Sequence, residues 1–302
     1  MQRCEGAKFL YSWRLCAKTH HYHISPVAKL QIEPILYTAF CGLLLANHPC
    51  NDISCIQEVF VGQFFAVDYS GPAFQFLGPA HIIALAVIVA LNLFLIRFKN
   101  ATEQTKHNIR WTLALILWAN EIAWHLWHIL TGTWTIQTML PLHLCSVLVW
   151  TGALMLVTKN YSIYEFTYFL GIGGAFQAVM TPDLGIYGFP HFRFFQTFIS
   201  HGLIITSGIY MTVVEGFRPT WKSILRVALW MNIYVVIVYF INSAIGSNYL
   251  MINGKPDTPS LLDILPPWPY YIIYMELIGI VTCLLLYIPF IVKDWRAKNA
   301  TA

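Results

Sequence analysis

The stretch WTLALILWANEIAWHLWHILTGTWTIQTMLPLHLC, residues 111–145, decides how the rest of the chain is read. It joins a long apolar run to most of the chain's reactive side chains. Within it Glu121, His125 and His128 stand at i, i+4 and i+7. At about 100° per residue they share an arc of about 60° on one helix face. A polar stripe on an otherwise apolar helix has to be met by partners. After a short uncharged turn, LPLHLC puts His143 and Cys145 at the start of the next apolar run.

Working outward, only 11% of the 302 residues are charged, 57% are hydrophobic and the mean hydropathy is +0.59. These values describe an integral membrane protein rather than a water-soluble domain. Nucleic-acid binding has no support, because there is no basic face, finger spacing or phosphate-cradling glycine loop. From Pro79 onward, apolar segments recur at close to the ~20 residues that cross a ~30 Å hydrocarbon core. Seven spans are predicted, at 79–96, 111–130, 142–157, 164–180, 194–214, 224–245 and 270–292. The expected fold is therefore all-α: a polytopic, seven-transmembrane-helix bundle with short loops and antiparallel neighbours. Gly171, Gly173 and Gly174 predict close backbone approach in the fourth span.

Orientation follows from Lys and Arg, which favour cytoplasmic loops. Arg97, Lys99, Lys106, Arg110, Lys159, Arg218, Lys222, Arg226, Lys293, Arg296 and Lys298 fall on one side. The other side of the core holds Arg193 and Lys255, so the N-terminus is expected outside and the C-terminus inside. Residues 1–57 add Arg3, Lys8, Arg14, Lys18 and Lys29 to the outer side, against the rule. They carry HHYH at 20–23 and five scattered cysteines, with no signal-peptide order and no zinc-knuckle spacing. This segment is expected to be a non-native or disordered extension, and 58–302 the transmembrane domain.

On this topology His81, His125, His128, His143, His191 and His201 lie in the outer half, while His107 is cytoplasmic. Glu121, Gln177, Asn242 and Glu276 add polar groups at or above mid-depth. Such groups in a bilayer usually face the bundle interior and mark a site or route. The plainer alternative is that each His donates to a neighbouring carbonyl and ties helices together. Glu121, His125, His143, Gln177, Asp183, His191, Asn248 and Asp263 are the expected binding set. The last two sit in a loop, 246–269, placed to fold over the outer mouth.

Leu140-Pro141 reads as a helix start, with Pro in the first turn. Cys145 then lies near the positive end of a helix dipole, which favours thiolate, whereas apolar burial opposes it. His143, two residues away, points to nearly the opposite side of a regular helix. A base for Cys145 is therefore expected from His128 or His201 on neighbouring helices, and Cys283 is expected to be packing. No cofactor or metal ligand is assigned. Zinc is the competing use of His125, His128, His143 and His201 with Glu121 or Asp183, although no HExxH motif supports it. A transporter predicts polar groups along the whole path, and the inner half has few. A retinal pigment lacks its lysine within the last span.

The runs LPLHLC (140–145), FLGIGGAFQAVMTPDL (169–184), HFRFFQTFISHG (191–202) and NYLMINGKPDTPSLLDILPPWPYY (248–271) resemble the bacterial YwaF-like integral membrane proteins over about residues 60–295. That resemblance implies a multi-pass protein of the bacterial cell membrane. More weakly, the chain is similar to a eukaryotic transmembrane family that moves acyl chains between phospholipids through a reactive Cys and a helping His. This implies Cys145 as nucleophile, assisted by His201 or His128, with membrane lipids as partners. The chain has Leu-His-Leu-Cys where that family has an adjacent Pro-Cys-His. The expected function is lipid acyl transfer or acyl hydrolysis. A non-enzymatic transporter or receptor for a small ligand or metal is the alternative. Nothing in the sequence sets an oligomeric state.

Overall fold

The computed structural model describes residues 62–256 and 261–300. The expected extension at 1–57, with its His and Cys cluster, lies outside the described residues, as does Asp257.

The described chain is all-α. Helix α1 (Pro79–Ile96) starts on a proline in its first turn and continues into a 3₁₀ turn, Arg97–Asn100. Helix α2 (Glu103–Leu130) begins eight residues before the predicted span. The Thr102 hydroxyl caps it by accepting from Thr105 N–H at 3.2 Å, so the polar run EQTKHNIR is helical too. Helix α3 (Leu144–Thr158) stops at Lys159, which adopts the left-handed conformation.

The predicted fourth span is one helical path with an interruption. Helix α4 (Tyr161–Phe166) passes through a π turn, Thr167–Gly171, into α5 (Ile172–Met180). Helix α6 (Phe192–Val213) follows the His191 cap, and α7 (Trp221–Ile245) is held at its start by a reciprocal Thr220–Ser223 capping box. Gly246, at φ 67°, ends α7 in the left-handed region that glycine adopts freely. Two 3₁₀ turns, Tyr249–Met251 and Leu261–Ile264, precede α8 (Tyr271–Ala300).

Among the described residues, four segments are long and apolar enough to cross a membrane: Pro79–Asn100, Glu103–Leu130, Trp221–Ile245 and Tyr271–Ala300. The 15 residues of α3 extend only about 22 Å at 1.5 Å per residue, less than a full hydrocarbon core. Helix α6 is apolar in a different sense. It is the central helix, in contact with α1, α2, α3 and α5, and buries Gln196, Thr197, Ser200, Thr206 and Ser207 along with its apolar side chains. Buried hydroxyls need hydrogen-bond partners. Thr206 and Ser207 return theirs to the carbonyls of Gly202 and Ile204, both at 2.8 Å.

Contacts between helix ends show antiparallel neighbours and define two ends of the bundle. At one end Trp127, late in α2, donates to Phe65 O, and His81, early in α1, bonds Val179 O, late in α5. At the other end Arg110 and Lys159 both pair with Glu215, just past α6. Arg226 pairs there with Glu165, and Arg218 with Asp294. The reactive side chains collect at the first end and the ion pairs at the second.

Candidate functional site

Running inward from the first end, the start of α3, Leu170 of the π turn, the first half of α7, the first half of α8 and the Tyr249–Met251 turn enclose a cavity of about 420 Å³. Its wall is mainly Leu, Ile, Val and Met, broken by His143, Cys145, Asn232 and Glu276. Cys145 is a free thiol in the first turn of α3. His143 is the N-cap residue, with extended backbone at φ −66° and ψ 145°. The helix begins after it, later than Leu140-Pro141 suggests. The 100° rule therefore does not relate His143 to Cys145, and the two border one cavity rather than opposite faces. Cys283, expected to be packing, is buried in the core and also reaches the cavity wall.

The turn over the cavity is held with care. Asn242 donates to Tyr249 O and accepts from Tyr249 N–H, both at 2.9 Å. The Tyr249 hydroxyl accepts from Leu140 N–H at 2.8 Å and donates to Ile136 O at 2.7 Å. Leu250 and Met251 are left-handed, at φ 60° and 55°, a strained backbone for such side chains. In that conformation Leu250 N–H points to His143 Nδ1 at 3.4 Å. A backbone N–H only donates, so Nδ1 accepts and neutral His143 carries its hydrogen on Nε2.

The stripe on α2 forms a second polar group. Glu121 is buried, and its Oε1 lies 3.7 Å from His125 Nε2 with no hydrogen-bond partner among the described residues. Trp134 Nε1–H donates to His125 Nδ1 at 3.2 Å, so His125 presents an N–H to Glu121. His128 Nδ1 bonds the Thr133 hydroxyl at 2.6 Å, and its buried Nε2 has no partner among the described residues. Arg193 of α6 stacks over Trp124 at 4.2 Å and donates to Gln196 Oε1 at 2.6 Å. Its charge is within electrostatic reach of Glu121, Asp183 and His201. Sequence reasoning counted Arg193 only as an outer cation. The signal available was its place one turn before Gln196 on the helix that carries His201. His201 gives Nδ1–H to Thr197 O at 2.8 Å, which leaves the Nε2 lone pair free to take a proton.

Glu121, His125, His128 and His201 do not line the cavity.

Other expected site residues have local duties. His191 is a staple, accepting from Arg193 N–H at 3.0 Å and donating to Ala66 O at 2.9 Å. Asn248 braces its own loop through Gly254 O and Asn253 N–H. The side chain of Gln177 is exposed on α5, and Asp183 and Asp263 are exposed as well. Among the described residues no three His, Cys, Asp or Glu side chains gather as metal ligands, so the zinc alternative gains no cluster to rest on.

The order of elements and this arrangement can be set beside known proteins. A sequence profile described as the TMEM164 family matches residues 76–287, from just before α1 into α8. The chain belongs to the TMEM164 family. It is a multi-pass membrane protein of that family, which is eukaryotic. The YwaF-like resemblance gains no support from the match, and the bacterial cell membrane it implied is replaced by a family of eukaryotic membranes. No curated protein and no solved structure matches the chain. The TMEM164 match covers α1 through the first half of α8, so it includes the cavity and the α2–α6 polar group and leaves out residues 1–75.

Proposed function

We propose that this TMEM164-family protein transfers or hydrolyses lipid acyl chains through Cys145, with membrane lipids as its partners. The observation that carries the proposal is a free thiol on the wall of a largely apolar cavity, between helices apolar enough to border lipid. The family's association with acyltransferase activity agrees with it. In the proposed topology seven segments cross the bilayer, α4 and α5 together making one of them, with the N-terminus outside and the cavity toward the outer leaflet.

In the first step Cys145 gives its proton to a histidine, and the thiolate attacks the ester carbonyl of a bound lipid. His201, whose Nε2 is free, is the first choice of base and His128 the second; neither lines the cavity, so the proton reaches them through a bound water or lipid head rather than by direct contact with the thiol. Collapse of the tetrahedral intermediate breaks the ester C–O bond, forms the thioester, and returns the histidine's proton to the departing lysolipid oxygen. The His143 Nε2–H is a candidate donor to the developing oxyanion. In the second step a lipid hydroxyl or water attacks the thioester and loses its proton, and the thiol is restored.

The test incubates purified protein with acyl-labelled phospholipid and looks for a hydroxylamine-sensitive adduct. The adduct is expected on the wild type and absent from Cys145→Ser. A wild type without adduct, together with unchanged lipid composition in the mutant, defeats the proposal. Solute flux across vesicles that depended on Glu121 and Glu276 would favour the transporter instead.

A further inference from the structure

Asn232 of α7 and Glu276 of α8 meet at the cavity, where Asn232 Nδ2 donates to Glu276 Oε1 at 2.8 Å. The second hydrogen of that amide goes to Ala228 O at 3.0 Å, one turn back on α7. Both amide hydrogens are thus engaged. What the pair turns toward a ligand is acceptors alone, Glu276 Oε2 and Asn232 Oδ1. Among the described residues no hydrogen-bond donor serves either atom.

Both side chains line the cavity and are also exposed, so they stand at its mouth. The exposed positions beside them are apolar: Leu229 and Trp230 on α7, Ile273 and Leu277 on α8. The two helices are among those suited to cross a membrane, so this mouth opens sideways toward hydrocarbon. Water is scarce there, and acceptors without donors are costly. A carboxyl side chain at that depth, paired across two helices, is a feature that packing alone does not call for.

We infer that the cavity is a binding site for a single-chain amphiphile that enters between α7 and α8. Its head brings hydroxyl or ammonium hydrogens to Glu276 and Asn232. Its chain lies among Val227, Met231 and Met275, where the unbranched, flexible Met side chains adjust to it. A ligand of the same shape without a donor leaves both acceptors bare. The inference rests on the reading of this cavity as a lipid site, but not on the chemistry of Cys145.

The experiment uses full-length protein in lipid nanodiscs, irradiated with diazirine derivatives of dodecanol, dodecylamine and dodecyl methyl ether at equal concentration. Labelled peptides are then quantified by mass spectrometry. The alcohol or the amine should label cavity peptides about tenfold more than the ether, which is ~1.4 kcal/mol of preference. The better of the two identifies the head. Glu276→Leu should remove the preference. Asn232→Ala, which loses one acceptor, should reduce it, and provides the test if the first variant fails to fold. Equal labelling by all three probes, or an undiminished preference in the folded variants, overturns the inference. A wild type that discriminates between heads but forms no acyl adduct defeats only the acyl-transfer reading.

Discussion

Replacing His191 by alanine removes two hydrogen bonds from a fully buried setting and leaves Ala66 O and Arg193 N–H without partners. A loss of about 1–3 kcal/mol is expected, read as a lower melting temperature, with formation of the Cys145 adduct intact. Burial, and then the charge of Arg193, hold the His191 imidazole below its ordinary pKa of 6.5 despite the opposing bond to Ala66 O. The folded protein therefore binds this proton less readily than the unfolded chain, and stability falls as pH drops below about 6.5. His191→Gln should flatten that part of the pH–stability profile. This residue also shows what spacing conceals. His191 and His201 look alike in sequence, yet one uses both ring nitrogens on backbone groups and the other uses one. The place of Cys145 at a helix start was legible from the apolar run that follows Leu140-Pro141. That it shares a cavity with His143 was not, because this depends on whether the helix begins before or after position 143.

At the scale of elements, close packing around α6 makes a sharp contrast between two glycines. A Cβ on Gly202 would lie 2.8 Å from Ile88 Cγ1 and 3.0 Å from its Cδ1, so the Ile88 side chain of α1 must give way to admit it. Gly202→Val is expected to cost about 1–3 kcal/mol through overpacking. Gly174 has only Leu144 Cδ2 near, at 3.8 Å, an ordinary contact. Gly174→Ala should be neutral or stabilise by about 0.4–1 kcal/mol, since alanine has less freedom to lose on folding. Thermal melts of the two variants check both outcomes, and equal destabilisation would show that the packing is misjudged. Of the three glycines that suggested close approach, Gly171 and Gly173 do face neighbours tightly, Ile204 at 3.1 Å and Thr282 at 2.7 Å, and Gly174 does not. Apolar runs marked where helices lie, since each run buries or exposes a greasy surface. The π turn at Thr167–Gly171 and the polar first turns of α2 were not marked, because local hydrogen bonding sets them and hydropathy does not.

For the whole molecule, the cations that suggest orientation also close one end of the bundle. Arg110 and Lys159 both serve Glu215, the latter at 2.6 Å, while Arg226 and Arg218 hold Glu165 and Asp294. Burial pushes the Glu215 carboxyl up, but hydrogen bonds from Lys159 and Arg110 outweigh it and hold the pKa below its ordinary 4.5. The unfolded chain takes up this proton first. The contribution is therefore complete above about pH 4.5 and is lost as pH falls through the depressed folded value. Glu215→Gln should remove that acid limb and cost about 3–5 kcal/mol, because Arg110 stays buried without its carboxylate. A positive end held by structural ion pairs raises the question of how far the same charges also direct insertion. If they do, the loop between α7 and α8 is outside and the loop between α6 and α7 is cytoplasmic. Asn-Gly-Thr glycosylation acceptors, carried on flexible inserts in a microsomal translation, separate the cases. Modification is expected after Gly254 and not after Phe217. The reverse pattern would overturn the proposed orientation and place the cavity toward the cytoplasmic leaflet, where the acyl donor would have to be drawn from that side.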